Sequence, residues 1–190
     1  THVVTKKVTP TVTRYPDGST WQSYGAFISA KYKPHPKWIL SAGLRYNHFL
    51  IDAVFDTTYF PFPFTGAKMR NGSVSGSLGL VYAPFKSWQL YVNGSTGFRA
   101  PNIDDMGKVF ESVPGYLVVP NPGLKPEQVY NAEIGTVKTF GNFVRLDATF
   151  YYTWLFDAMV RKNSELNGDT TIRFLGNKSR IQAVQNVTKI

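Results

Sequence analysis

Between Trp88 and Arg99 the side chains alternate: Trp88, Leu90, Val92, Gly94, Thr96 and Phe98 fall on one side, Gln89, Tyr91, Asn93, Ser95, Gly97 and Arg99 on the other. A period of two kept up for a dozen residues predicts a strand with one apolar and one polar face. The split returns from 144 to 157, where Val144, Leu146, Ala148, Phe150, Tyr152, Trp154 and Phe156 oppose Arg145, Asp147, Thr149, Tyr151, Thr153 and Asp157. Tyr24, Ala26, Ile28, Ala30 and Tyr32 face away from Ser23, Gly25, Ser29 and Lys31, and Trp38, Leu40, Ala42, Leu44 and Tyr46 oppose Ser41, Gly43, Arg45 and Asn47. Weaker strands are expected around 72–83, where Val74, Leu78 and Leu80 oppose a run of serines, and around 128–139. A seventh and poorer strand runs from about Thr171 to the end. Helical periodicity nowhere exceeds this dyad, so the chain reads as all-β.

The connections alternate in length. KPHPK (33–37), APFKS (83–87) and TFGN (139–142) are tight Pro or Gly turns. Residues 52–71, 100–126 and 163–170 are the longer connections, which gives an antiparallel up-and-down meander with a plain side and an elaborated side. Long structureless loops are uncommon in compact domains and usually carry function.

Strand length separates a soluble sandwich from a membrane barrel. Sandwich strands average about 5–6 residues, and strands crossing an outer membrane need about 9–11. These run to a dozen or more, and the stretch 142–162 can extend over more than about 60 Å at ~3.3 Å per residue, enough to project above a bilayer. Aromatics gather at the tight turns: Tyr32 and Trp38, Tyr82, Phe85 and Trp88, Phe140 and Phe143. All three turns being flanked this way fits an interfacial girdle, and the Asn, Ser, Thr and scattered Arg of the polar faces suit a wet lumen.

Composition agrees. Charged residues are 17% of the 190 and apolar residues 43%, against about 25% charged in ordinary soluble domains; aromatics reach 15%. Mean hydropathy is −0.20, and no run approaches the ~18 consecutive apolar residues of a membrane helix. The absence of cysteine removes disulfides and thiolate metal sites. The chain opens at Thr1 with no charged-then-apolar leader, so any signal peptide is expected elsewhere or already removed. The net charge of +9 points to anionic partners. The basic residues cluster near turns and loops rather than interleaving with aromatics on one face, so no nucleic-acid surface is expected. Lys6, Lys7, Arg14, Lys68 and Arg70 suit lipopolysaccharide phosphates, an anionic ligand, or plain solvation.

The strand 88–99 ends at Arg99 because Pro101 offers no backbone donor and turns Ala100 away from helical geometry. Beyond it come the loop APNIDDMGKVFESVPGYLVVPNPGLKPE and the strand QVYNAEIGTVKTF. The series Gly97, Phe98, Arg99, Ala100, Pro101, Asn102, then Asn121, Pro122, Leu124, Pro126 and Glu127, then Glu133 and Gly135, resembles the barrel of TonB-dependent outer-membrane receptors. The resemblance runs through FYYTWLFDAMVRKN and NKSRIQAVQNVTKI and covers about residues 20–190. It implies a transmembrane barrel of about 22 strands closed by a plug, in the bacterial outer membrane. Residues 1–20 are then expected as an extracellular loop and 21–190 as roughly seven strands, with the plug domain and remaining strands absent from this sequence. An open sheet in lipid leaves unpaired edge amides costing several kcal/mol each, so the chain reads as part of a larger receptor.

The chemistry implied is transport, with no catalytic group and no bound cofactor. His2, His35 and His48 are far apart in sequence; His35 sits in a turn on the plain side, and His48, near the elaborated end, is the one histidine placed for a ligand. Asp104 and Asp105 fit a solvated loop or an Asx turn better than a metal site. Arg99 has two uses open to it, binding a ligand carboxylate or pairing with Asp104 or Asp105. Asn102 beside it, and Phe110 and Tyr116 on the loop, are further ligand-facing candidates, the two aromatics by stacking on a ligand or by packing the loop on itself. FRAP and NPGL look like the boxes of haem and haemoglobin receptors, where an intervening histidine ligates haem. No histidine lies between Pro101 and Asn121, although Met106 or Tyr116 has the right chemistry. The expected function is TonB-dependent uptake of a scarce nutrient such as a ferric siderophore, with the TonB complex, outer-membrane lipid and lipopolysaccharide as partners. Haem, haemoglobin or cobalamin is the alternative cargo, and a passive porin or small structural barrel the rival class.

Overall fold

The computed structural model describes residues 16–58, 62, 64–174 and 176–189. The expected extracellular segment with Lys6, Lys7 and Arg14, and His2 with it, lies outside the described residues. Seven long strands form one antiparallel meander: β1 (Thr20–His35), β2 (Trp38–Val54), β3 (Gly66–Phe85), β4 (Trp88–Arg99), β7 (Glu127–Phe140), β8 (Val144–Asn163) and β10 (Asn177–Lys189). Between β4 and β7 stand a short helix, α1 (Ile103–Gly107), and two short strands, β5 (Phe110–Val113) and β6 (Tyr116–Val119); β9 (Thr171–Phe174) precedes β10. The all-β, up-and-down reading holds, and the sheet does not close on itself. No described helix is long and apolar enough to cross a membrane, which says nothing against crossing by strands.

Register fixes which residues share a face. Ala26 opposes Tyr46 and Tyr46 opposes Val74; Ile28, Leu44 and Gly76 form another rung, and Ile134 pairs Phe150. The apolar residues of the alternation therefore make one continuous outer surface, exposed at Ile28 by 70%, Leu78 by 60% and Phe150 by 80%; Phe98 departs from the expected face and stacks on buried Phe49 at 6.1 Å. An apolar face this extended is an interaction surface, of the kind an outer-membrane barrel turns to lipid. Two aromatic belts bound it. At the tight-turn end Trp38 stacks on Tyr82 at 4.3 Å, and Phe85 on Trp88 at 6.4 Å. At the other end Tyr24, Tyr46, Tyr130, Tyr152 and Trp154 form a second belt, with Tyr152 and Trp154 in edge contact at 4.5 Å. Tyr24 and Tyr32 on β1, like Trp38 and Tyr46 on β2, are eight positions apart. That is about 27 Å along a strand and about 20 Å along the membrane normal at a tilt of ~40°, near the ~25 Å band of outer-membrane barrels.

The opposite face is polar over the same height. Asn47 donates to Ser23 (3.3 Å), Asn93 to Glu133 (3.0 Å) and Thr153 to Asn131 (2.7 Å). Tyr91 lies over Gly135, its direct partner across β4 and β7, where a Cβ would fall 2.3 Å from the ring, and its hydroxyl meets that of Thr149. The Glu133 and Gly135 of the sequence motif are thereby explained: one takes an inward hydrogen bond, the other leaves room for a flat tyrosine.

Three sequence expectations are corrected. The connection 52–71 is shorter than expected, because β2 and β3 stay paired as far as Val54 and Gly66. The stretch 100–126 is not structureless: α1 and the β5–β6 hairpin fill it. The expected last strand is two, β9 and β10, joined by a turn at Gly176 with φ +88°. β6 joins β10 in parallel, with Tyr116 opposite Arg180, so the loop hairpin extends the sheet.

Candidate functional site

Above the upper belt the inner face of β2 changes character. Phe49, Ile51 and Ala53 are buried on the side where Arg45 and Asn47 lie lower down. They pack with Met69, Met106, Leu124 and Val184, drawing α1 and the end of the 100–126 loop onto the wall. A second cluster of Leu117, Val119, Leu166, Ile181 and Ala183 holds the hairpin against β10. The loop is thus a packed lip on the lumen side.

A polar clamp fixes its two ends. Pro101 is fully buried where β4 stops. Asn102 caps α1: its side chain accepts from the Asp105 amide at 2.8 Å, and Asp105 accepts from the Asn102 amide at 3.2 Å. The same Asp105 carboxylate takes both bonds of one Arg99 nitrogen, at 2.8 and 2.7 Å. Arg99 also reaches Glu127, its partner across the β4–β7 ladder, at 3.3 Å. Burial of the guanidinium works to lower its pKa, and the two carboxylates outweigh that and raise it. Glu127 uses its other oxygen to accept the Met159 amide, next to the left-handed Asp157 of β8, φ +52°. On the far side, Asn121 donates to the Val184 carbonyl at 2.8 Å while its own backbone amide donates to the Met106 carbonyl at 2.9 Å. Asn186 accepts from the Lys125 amide at 2.8 Å and donates to the carbonyls of Lys125 (2.9 Å) and Asp157 (2.6 Å). The motif residues, far apart on the chain in the case of Arg99 and Asn186, meet around Asp157 and Met159 of β8.

Each sequence-predicted residue can now be placed. Arg99 and Asn102 belong to the clamp, with Asp105, not Asp104, as the partner of Arg99; Asp104 pairs with Lys108. Phe110 is covered by cations, with Lys108 Nζ 5.0 Å and Arg161 5.3 Å from its ring. Tyr116 is half-buried at the start of β6. His48 lies on the other face: it shares the outer side of β2 with Tyr46, whose hydroxyl is 3.4 Å from its Nδ1. The structure therefore does not bring His48 together with the other candidates. No group of three or more metal-binding side chains exists among the described residues. The role of Asn186 is the feature that sequence reasoning missed; its one signal is a carboxamide interrupting the dyad of a strand.

Comparison with known proteins places this geometry. Residues 4–188 match the family described as TonB dependent receptor-like, beta-barrel. The chain is 33% identical over 82 residues to the probable hemoglobin and hemoglobin-haptoglobin-binding protein 4 of Haemophilus influenzae, a match taking in 43% of this chain and 7% of that protein. It is 32% identical over 111 residues to the hemoglobin-haptoglobin utilization protein B of Neisseria meningitidis serogroup C, covering 55% of this chain and 14% of that one. The chain thus spans a small part of these relatives. Its fold resembles the hemophore receptor HasR of Serratia marcescens, solved with its hemophore HasA and heme, at a TM-score of 0.66 and 16% identity over 89% of this chain and 30% of HasR. It likewise resembles the copper transporter OprC, at a TM-score of 0.65 and 17% identity over 89% of this chain and 24% of OprC. With a match from residue 4 to residue 188 and a wall of the same architecture, the chain belongs to the TonB-dependent receptor β-barrel family.

Proposed function

We propose that this chain is a wall section of an outer-membrane receptor that takes up an iron-bearing nutrient in a TonB-coupled manner, with haem or haemoglobin as the cargo. The observation that carries the receptor reading is the clamp: the Gly97–Asn102, Asn121–Glu127 and Asn186 segments close around the left-handed Asp157 of β8 and hold an ordered lip over the lumen side. Cargo rests on a different support, the names of two relatives above 30% identity, both of which refer to haemoglobin. The ferric-siderophore reading rests on family membership alone and is the second choice. In this scheme residues 21–190 supply wall strands, while a plug and the remaining strands belong to other parts of a longer protein; loops capture, and the plug moves under force delivered by TonB. Nothing in it requires a catalytic group.

Neither the 100–126 lip nor His48 would contribute a histidine to haem iron. None lies between Pro101 and Asn121, and His48 faces outward. The His48→Ala variant of the full-length receptor is therefore expected to keep the Soret band of the wild-type haem complex. The function itself is tested by growth of a host lacking its own haem and siderophore receptors, carrying the full-length receptor, with haemoglobin as sole iron source. Growth that depends on TonB is expected. Growth on a ferric siderophore but not on haemoglobin would move the cargo to the second choice, and growth on haemoglobin without TonB would contradict coupling.

A further inference from the structure

Outside the lip and the lumen, one cluster of charge is unaccounted for by uptake. The outer face of β1, β2 and β3 continues above the upper belt as two rungs, Gln22–Leu50–Arg70 and Thr20–Asp52–Lys68. These residues line a cleft of about 160 Å³. Lys68 pairs with Asp52 at 3.1 Å, both well exposed, whereas Arg70 is exposed and makes no ion pair or hydrogen bond among the described residues. Summing Lys68, Arg70 and Asp52 leaves one uncompensated positive charge, with the side chains of Gln22 and Thr20 beside it as neutral hydrogen-bonding groups.

Height identifies what meets it. The tight turns lie at one end of the wall and the longer loops at the other, and in outer-membrane barrels the longer loops are extracellular. Gln22, in the Leu50 rung, stands two positions above Tyr24 on β1, about 7 Å along the strand and about 5 Å along the normal at a ~40° tilt. That clears the hydrocarbon edge marked by the tyrosines and reaches the polar layer, which adds about 5–8 Å on each side of the ~30 Å core. The cleft opens outward, so a molecule in it comes from the surrounding leaflet. Cargo in the lumen lies on the other side of the sheet.

We propose that this cleft binds the phosphate of an outer-leaflet glycolipid headgroup, with Arg70 as its principal contact and Lys68 shared between that phosphate and Asp52. Arginine suits this, since its planar fork matches phosphate oxygens. The inference rests on the outer-membrane placement of the wall and is independent of the cargo.

The test uses purified full-length receptor and a bisphosphorylated lipid A-type glycolipid in detergent, with bound lipid read by native mass spectrometry. A cation near a charged lipid surface contributes about fivefold in affinity. Arg70→Gln is expected to weaken binding by about that factor, and Arg70→Gln with Lys68→Gln by more. Lys86→Gln, on the opposite tight turn, is expected to bind as wild type and so to report on the specificity of the loss. The phosphate-free glycolipid is expected to bind the wild type as weakly as the double variant. Equal binding by the double variant, equal binding of the phosphate-free lipid, or inorganic phosphate binding as tightly as the glycolipid would each overturn the proposal. Growth on haemoglobin is expected to survive the substitutions, which separates this failure from failure of the uptake reading.

Discussion

Arg99 shows how one side chain organises a loop. It is half exposed, but its partners Asp105 and Glu127 retain only 12% and 14% of their side-chain exposure. Removing the guanidinium leaves two nearly buried carboxylates with one backbone amide each and no counter-charge, which costs more than the loss of a surface ion pair. Arg99→Gln is expected to destabilise the lip by about 1–3 kcal/mol, measured as faster amide exchange over residues 103–119 in the full-length receptor, with the strand amides of β7 and β8 unchanged. Lysine there keeps the charge and loses the second nitrogen with which the fork holds Asp105 and Glu127 at once, so Arg99→Lys should fall between wild type and Arg99→Gln. The choice of Asp105 over Asp104 is legible in principle, because Asn102 and Asp105 have the spacing of a capping box; the alternation of residues by itself leaves both open. Gly135 makes a second residue-scale prediction. A methyl group there enters the Tyr91 ring, so Gly135→Ala should cost about 1–3 kcal/mol and lower the temperature at which the folded barrel loses its heat-modifiable mobility.

At the level of elements, the strands are legible where each face has one solvent. From Trp38 to Asn47 lipid lies on one side and the lumen on the other, and the alternation is clean. Above Asn47 the lumen face of β2 is covered by α1 and Leu124 and turns apolar with Phe49, Ile51 and Ala53, while Leu50 stays on the outer side. The pattern of residues 49–51 becomes a continuous apolar run, which is why the connection reads as longer than it is. The 100–126 lip is illegible for a related reason: its strands are four residues each, too short for a period, and β6 finds its partner in β10, far along the chain. The two faces also predict opposite responses. Leu44→Arg on the outer face is expected to cost about 2–4 kcal/mol, as a cation near the middle of the apolar band does. Ser95→Arg on the lumen side, where the cross-strand partners are Ser77 and Asn131, is expected to fold nearly as wild type, because that face is polar. Denaturant refolding of the full-length barrel into lipid vesicles measures both.

For the whole molecule the decisive feature is that the sheet stays open. Among the described residues β1 pairs only with β2, and the lower half of β10 pairs only with β8. Edge amides left without partners in hydrocarbon cost several kcal/mol each, so a wall with these belts is stable in lipid only when further strands complete it. Sequence reveals the architecture and the family through motif order, and it leaves the cargo open because the residues that form the motifs are used in holding the lip. The most direct test is the mass and location of the native polypeptide in fractionated cells, detected with an antibody raised against residues 100–126. An outer-membrane band several times heavier than 21.3 kDa is the predicted result. A band near 21.3 kDa, or one confined to the soluble fraction, would contradict the wall-section account.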